Sequence, residues 1–96
     1  MPSGITIFVI QSPLNPKVSE SVKITATASG NAALNSSRVI YVYIDDALAN
    51  ICTSSPCSTS PKKYSLGDHT YYAVINEKLV DLARDPVTGI KGFRVS

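Results

Sequence analysis

The stretch Ser21 to Ala28, SVKITATA, constrains this chain most: Val22, Ile24, Ala26 and Ala28 alternate strictly with Lys23, Thr25 and Thr27. A period of two places the apolar set on one face and the polar set on the other, as in a strand half-buried in an antiparallel sheet. Similar short blocks recur at Ile5 to Gln11, Arg38 to Ile44, Ala47 to Thr53 and His69 to Ile75. The polar stretch Ser58 to Ser65 holds Pro61 and a short edge strand ending at Tyr64, and a last strand runs from Val80 to Val95, interrupted at Asp85-Pro86. Ser12-Pro13, Asn15-Pro16, the Ser29 to Ser37 loop, Leu66-Gly67-Asp68 and Asn76 to Leu79 separate these blocks. Leu79 to Arg84 has the composition for one helical turn, which Pro86 cuts short. About seven strands at spacings of roughly 10–15 residues, with no convincing helix, predict an antiparallel β-sandwich or small barrel.

Ninety-six residues make one domain, 1–96. With 44% hydrophobic and only 17% charged residues, the chain is neither disordered nor strongly ionic. The net charge is +2, and the basic residues are scattered singly apart from Lys62-Lys63, which is no footprint for nucleic acid. No apolar run approaches the roughly 18–20 residues of a membrane helix, so no direct membrane insertion is expected. The Met-Pro-Ser-Gly start has neither a basic nor an apolar segment of a leader, and the chain reads as a domain excised from a parent that carried the signal.

Cys52 and Cys57 are the only cysteines, in Cys-Thr-Ser-Ser-Pro-Cys. So short a span fits a tight hairpin-loop disulfide, worth about 2 kcal/mol by loop entropy. The polar setting favours that reading over two reduced thiols. A structural zinc site wants four ligands, and only His69 could join the two sulfurs.

The order of VKITATAS, VIYVYIDD, GDHTYYAVIN and KGFRV resembles bacterial and archaeal immunoglobulin-like (fibronectin III-like) modules of secreted and cell-surface proteins. Ser12-Pro13, Ser21 to Ser29, Ile40 to Asp46, Gly67 to Val74 and Phe93 to Val95 stand where such modules have their recurrent motifs. The Cys52 to Cys57 loop also looks like that of some members. Asn76-Glu77-Lys78-Leu79 departs from the family's Ala-Gly-Asn turn. The resemblance implies an immunoglobulin-like sandwich, often in tandem, serving as a scaffold or adhesion module at an extracellular or cell-surface location. It names no ligand.

The residues themselves offer few reactive sites. His69, the one histidine, reads as a packed strand-start residue donating to a neighbouring carbonyl, and no nucleophile elbow or phosphate loop is present, so no enzyme and no cofactor are expected. Asp45-Asp46 ends a strand, and adjacent aspartates point to opposite faces, which favours a turn role over calcium. Asn35-Ser36-Ser37 is an N-glycosylation triplet. With Ile40, Val42 and Ile44 facing inward, Tyr41, Tyr43, Tyr72 and Val74 fall on one outer sheet face, a candidate binding face. The expected core is Val22, Ile24, Ala26, Ile40, Val42, Ile44, Tyr71, Ala73 and Phe93. The function expected is a non-catalytic structural, spacer or adhesion module, monomeric in isolation and partnered by neighbouring domains of its parent. The alternative is an accessory module binding cell-surface carbohydrate or protein through the tyrosine face or the end loops.

Overall fold

A computed structural model describes residues 5–30, 37–86 and 88–96. Among the described residues there are nine strand segments: β1 (Ile5–Ser12), β2 (Ser21–Gly30), β3 (Arg38–Ile44), β4 (Ala47–Cys52), β5 (Cys57–Ser58), β6 (Lys62–Lys63), β7 (Gly67–Glu77), β8 (Val80–Asp85) and β9 (Lys91–Val95). They form two antiparallel sheets. In one, β2 lies between β1 and the short β5 and β6; in the other the order is β4-β3-β7-β8, with β9 also on β7. This is an all-β, immunoglobulin-like sandwich. β5 and β6 both pair with β2, and β8 and β9 follow one another along β7, so the nine segments amount to seven strands.

The period-two pattern is realised directly. Val22, Ile24 and Ala26 of β2 face Ile40, Val42 and Ile44 of β3 and Tyr71, Ala73 and Ile75 of β7 across a shared core, which Ile7, Val9, Cys57, Phe93 and Val95 complete. All nine expected core residues are buried. Thr59 sits where β5 gives way to β6, and it holds both sides of Ile24. Its N–H donates to the Ile24 carbonyl at 2.9 Å, and its Oγ1 accepts from the Ile24 N–H at 3.0 Å.

Two expectations need correction, and the turn between them is borne out in a form that uses no glycine. Leu79 to Arg84 forms no helical turn: Val80–Asp85 is β8, laid against β7. The β-branched and apolar side chains gain more by extending a sheet than one unsupported turn could supply. The Asn76 to Leu79 turn is a tight hairpin centred on Lys78 (φ 48°) and Leu79 (φ 71°), achieved without glycine. Asn76 supports it, its Oδ1 accepting from Leu79 N–H at 3.1 Å and its Nδ2 donating to Asp81 at 2.7 Å. Finally, the cysteine bridge is no hairpin-loop staple. Cys52–Cys57 is bonded, with Cα atoms 5.6 Å apart, but Cys52 ends β4 in one sheet and Cys57 opens β5 in the other. The bridge therefore ties sheet to sheet at the point where the chain crosses over.

Candidate functional site

The outer face of the β4-β3-β7-β8 sheet collects the tyrosines. The register sets Tyr43 opposite Tyr72 and Tyr41 opposite Val74, while β4 brings Leu48 beside Tyr43 and Ile51 beside Tyr41. Arg84 of β8 lies opposite Val74. The rings form a continuous row. Tyr43 and Tyr72 stack with centroids 4.7 Å apart and planes within 15°, Tyr41 meets Tyr43 edge-on at 6.3 Å, and the Arg84 guanidinium lies 4.6 Å over Tyr72. Burial, then the neighbouring Tyr72, Tyr41 and Asp81, push the Tyr43 hydroxyl above the ordinary tyrosine range.

Val74 is not part of the accessible surface, although it belongs to this face. It is only 4% exposed, because a short side chain on a central strand sits between the longer Tyr41 and Arg84 at its paired positions. Beside the row, Val39, Tyr41, Ile51, Asn76 and the 95%-exposed Leu79 line a shallow hollow of about 430 Å³. Leu79 and Ile51 were missed in the sequence. Only the hairpin turn and the β3–β4 pairing bring them to Tyr41.

A second cluster gathers at the far end of the same sheet. The β3–β4 turn places Asp45 (φ 52°) and Asp46 (φ 63°) in the left-handed region, which aspartate tolerates better than most residues. The turn role expected for this pair holds. The Asp45 carboxylate accepts from Thr70 N–H at 3.0 Å and from His69 Nδ1 at 2.7 Å. The other ring nitrogen of His69, Nε2, donates to the Ser65 carbonyl at 2.8 Å, and the ring stacks on Phe93 at 5.3 Å. Hydrogen bonds to Asp45 and then Ser65 outweigh burial and raise the His69 pKa above the ordinary histidine value. Burial pushes the Asp45 carboxyl up, but the bonds from His69 and Thr70 prevail and hold it below the ordinary carboxylate value. Tyr64, whose ring leans on His69 and Phe93, and the buried Tyr71 are both raised chiefly by desolvation.

The Asp45–His69 pair has the geometry of the lower part of a catalytic triad, yet the outward nitrogen meets a backbone carbonyl where a triad has a hydroxyl. Among the described residues, no group of three His, Cys, Asp or Glu side chains is placed to hold a metal ion. Asn35 lies outside the described residues.

The fold and both clusters define an immunoglobulin-type sandwich in which Asp45, Arg84, Asp85 and Lys91 bind backbone groups through their side chains. No family model matches the sequence, and no curated protein matches it. Among solved structures the chain is similar to fibronectin(III)-like modules of Clostridium thermocellum CbhA, with TM-score 0.55, 18% identity and 95% of this chain covered. It spans 46% of that chain's length. The likeness shows a fibronectin III-like fold.

Proposed function

We propose that the chain is a non-catalytic structural module, a spacer or adhesion unit of a secreted or cell-surface protein. The observation that carries this reading is how the two ends of the β1–β2 ladder are tied into the sandwich. Ile5 pairs with Gly30 at one end of the eight-pair β1–β2 ladder. Ser96 at the other end exchanges hydrogen bonds with Pro16 and Val18. Ile5 and Ser96 thus lie at opposite ends of the β1–β2 ladder in a body measuring 43 × 23 × 20 Å, an arrangement suited to transmitting position along the strands. A resemblance to fibronectin(III)-like modules supports the same reading, and a disulfide supports an oxidising, extracellular setting.

Interrupted sheet edges support the monomeric expectation. β4 carries a bulge at Ala49, β5 and β6 are two residues each with Pro61 between them, and Pro86 separates β8 from β9. The alternative, sugar binding by the tyrosines, has less support. Tyr72 has one ring face against Tyr43 and the other beneath Arg84, which leaves that ring no bare face for stacking. The hydroxyl edges and the hollow beside Leu79 remain for a protein partner.

The test places the module between two fluorescent domains and compares their separation with that of a direct fusion. A spacer lengthens the distance by about its long axis. An increase near the short axis, or retention of the isolated module on cell-wall polysaccharide, would sink the spacer reading.

A further inference from the structure

His69 is the chain's only histidine, and both of its ring nitrogens face atoms that can only accept. Nδ1 lies 2.7 Å from the Asp45 carboxylate and Nε2 lies 2.8 Å from the Ser65 carbonyl. A neutral imidazole has one N–H and one lone pair, so it can satisfy only one of the two and must turn its lone pair on the other oxygen. Only the imidazolium fits both. The ring also sits at a junction of four elements. It belongs to β7, holds the β3–β4 turn through Asp45, holds the β6–β7 connection through Ser65, and packs on Phe93 of β9.

We propose that this corner is a proton-operated latch: doubly protonated, His69 holds Asp45 and Ser65 together, and on losing one proton to solvent it keeps Asp45 and releases Ser65. The choice of which contact survives follows from strength. A hydrogen bond to an ionised carboxylate is roughly twice as strong as one to a neutral carbonyl, so the remaining proton stays on Nδ1. The segment set free is the one with the least other support. β6 is two residues long and pairs with β2 only at Ser21 and Val22, and Tyr64 is left as its anchor against Phe93 and the His69 ring. The β3–β4 turn, in contrast, keeps the Asp45 bonds to Thr70 in both protonation states.

The surrounding charges agree with a stabilised cation. Asp45 from the β3–β4 turn and Asp68 from β7 both favour the protonated ring. Lys62 of β6 acts on Asp45, and its ammonium lies over the Tyr64 ring at 5.3 Å. Arg94 of β9 faces Asp68 at 3.9 Å, with both side chains largely in solvent, where screening leaves the pair little weight. Phe93 and Tyr64 supply the apolar walls.

The experiment is an NMR titration of the 15N-labelled wild-type chain, in which one histidine gives one unambiguous signal. The midpoint is expected above the ordinary value of 6.5, and the neutral form should carry its proton on Nδ1. Backbone order parameters of residues 62–66 should fall from about 0.85 toward about 0.6 across the same titration, while those of Asp45 to Ala47 stay unchanged. The D45N variant keeps a residue tolerant of the left-handed turn and should bring the midpoint down toward 6.5. A wild-type midpoint at or below 6.5, a neutral ring protonated on Nε2, unaltered order in residues 62–66, or an unmoved midpoint in D45N would each overturn the latch.

Discussion

The two long edges of the sandwich are closed by different chemistry. At one, the Cys52–Cys57 disulfide joins β4 to β5, and Asn50 Nδ2 donates to the Ser58 carbonyl at 2.7 Å beside it. At the other, no covalent link exists between β1 and the broken β8–β9 strand. There the Val9 N–H donates to Asp85 Oδ2 at 2.6 Å, while Lys91 Nζ donates to the Val9 carbonyl at 2.9 Å and to Asp85 Oδ2 at 2.8 Å. A strand residue presents its N–H and C=O to the same side, so one carboxylate and one ammonium stand in for the missing neighbour of Val9. The disulfide acts chiefly by shrinking the unfolded ensemble. The Asp85–Lys91 clasp acts on the native state by satisfying backbone groups that the edge of β1 would otherwise leave open.

That difference can be measured. The largest effect is expected from Asp85→Ala, which strips an acceptor from the Val9 N–H and leaves Lys91 uncompensated in a site where the two side chains are 17% and 30% exposed. Loss of a hydrogen-bonded, partly buried ion pair should cost about 2–4 kcal/mol in a urea melt. If Asp85→Ala melts with the parent, water replaces the carboxylate freely and the clasp closes nothing. Reducing the disulfide should cost less, about 2 kcal/mol, because the span it closes is only six residues. A loss well above that would show that the bridge stabilises the native crossover itself as well as restricting the unfolded chain.

Combining the two changes sharpens the comparison further. The edges share no residue, so the losses should add to within about 0.5 kcal/mol. A larger joint loss would mean that closing one edge prepares the other.

The smallest effect separates both edges from the His69 corner, since neither edge contains a histidine, the side chain that ordinarily changes charge between pH 5 and 8. His69 has a raised pKa in the fold, so its stabilisation is complete below the unfolded value of 6.5 and is lost as pH rises through the folded value. Asp45 has a lowered pKa, so its stabilisation is present above the unfolded value of 3.8 and is lost as pH falls through the folded value. Stability attributable to the corner should therefore be greatest between those limits and decline on both sides. His69→Gln should flatten the alkaline decline, whereas reduction of the disulfide should shift the whole profile without changing its shape. An alkaline decline that persists in His69→Gln would assign it to another group.

Of the two edge closures, one was legible in the chain and the other was not. Two cysteines in a six-residue polar span announce a bridge from local spacing alone, although their role between sheets is visible only once β4 and β5 are placed in different sheets. Asp85 and Lys91 read as a turn residue and a scattered charge, for their partner Val9 is 76 and 82 positions away. The tyrosine face was similarly half legible. Parity assigned Tyr41, Tyr43 and Tyr72 to one side, but parity says nothing of ring stacking, of Arg84 over Tyr72, or of how deeply Val74 lies between its neighbours.

The strand content, the inward set from Val22 to Phe93 and the turn role of Asp45 were determined by the sequence itself, because alternation, β-branching and turn chemistry act over a few residues. Tertiary structure alone decided that Val80–Asp85 pairs with β7, that the disulfide spans the sheets, and that His69 meets two acceptors. Each depends on contacts between segments distant along the chain, and a residue's own neighbours carry no record of what the opposite sheet will bring against it.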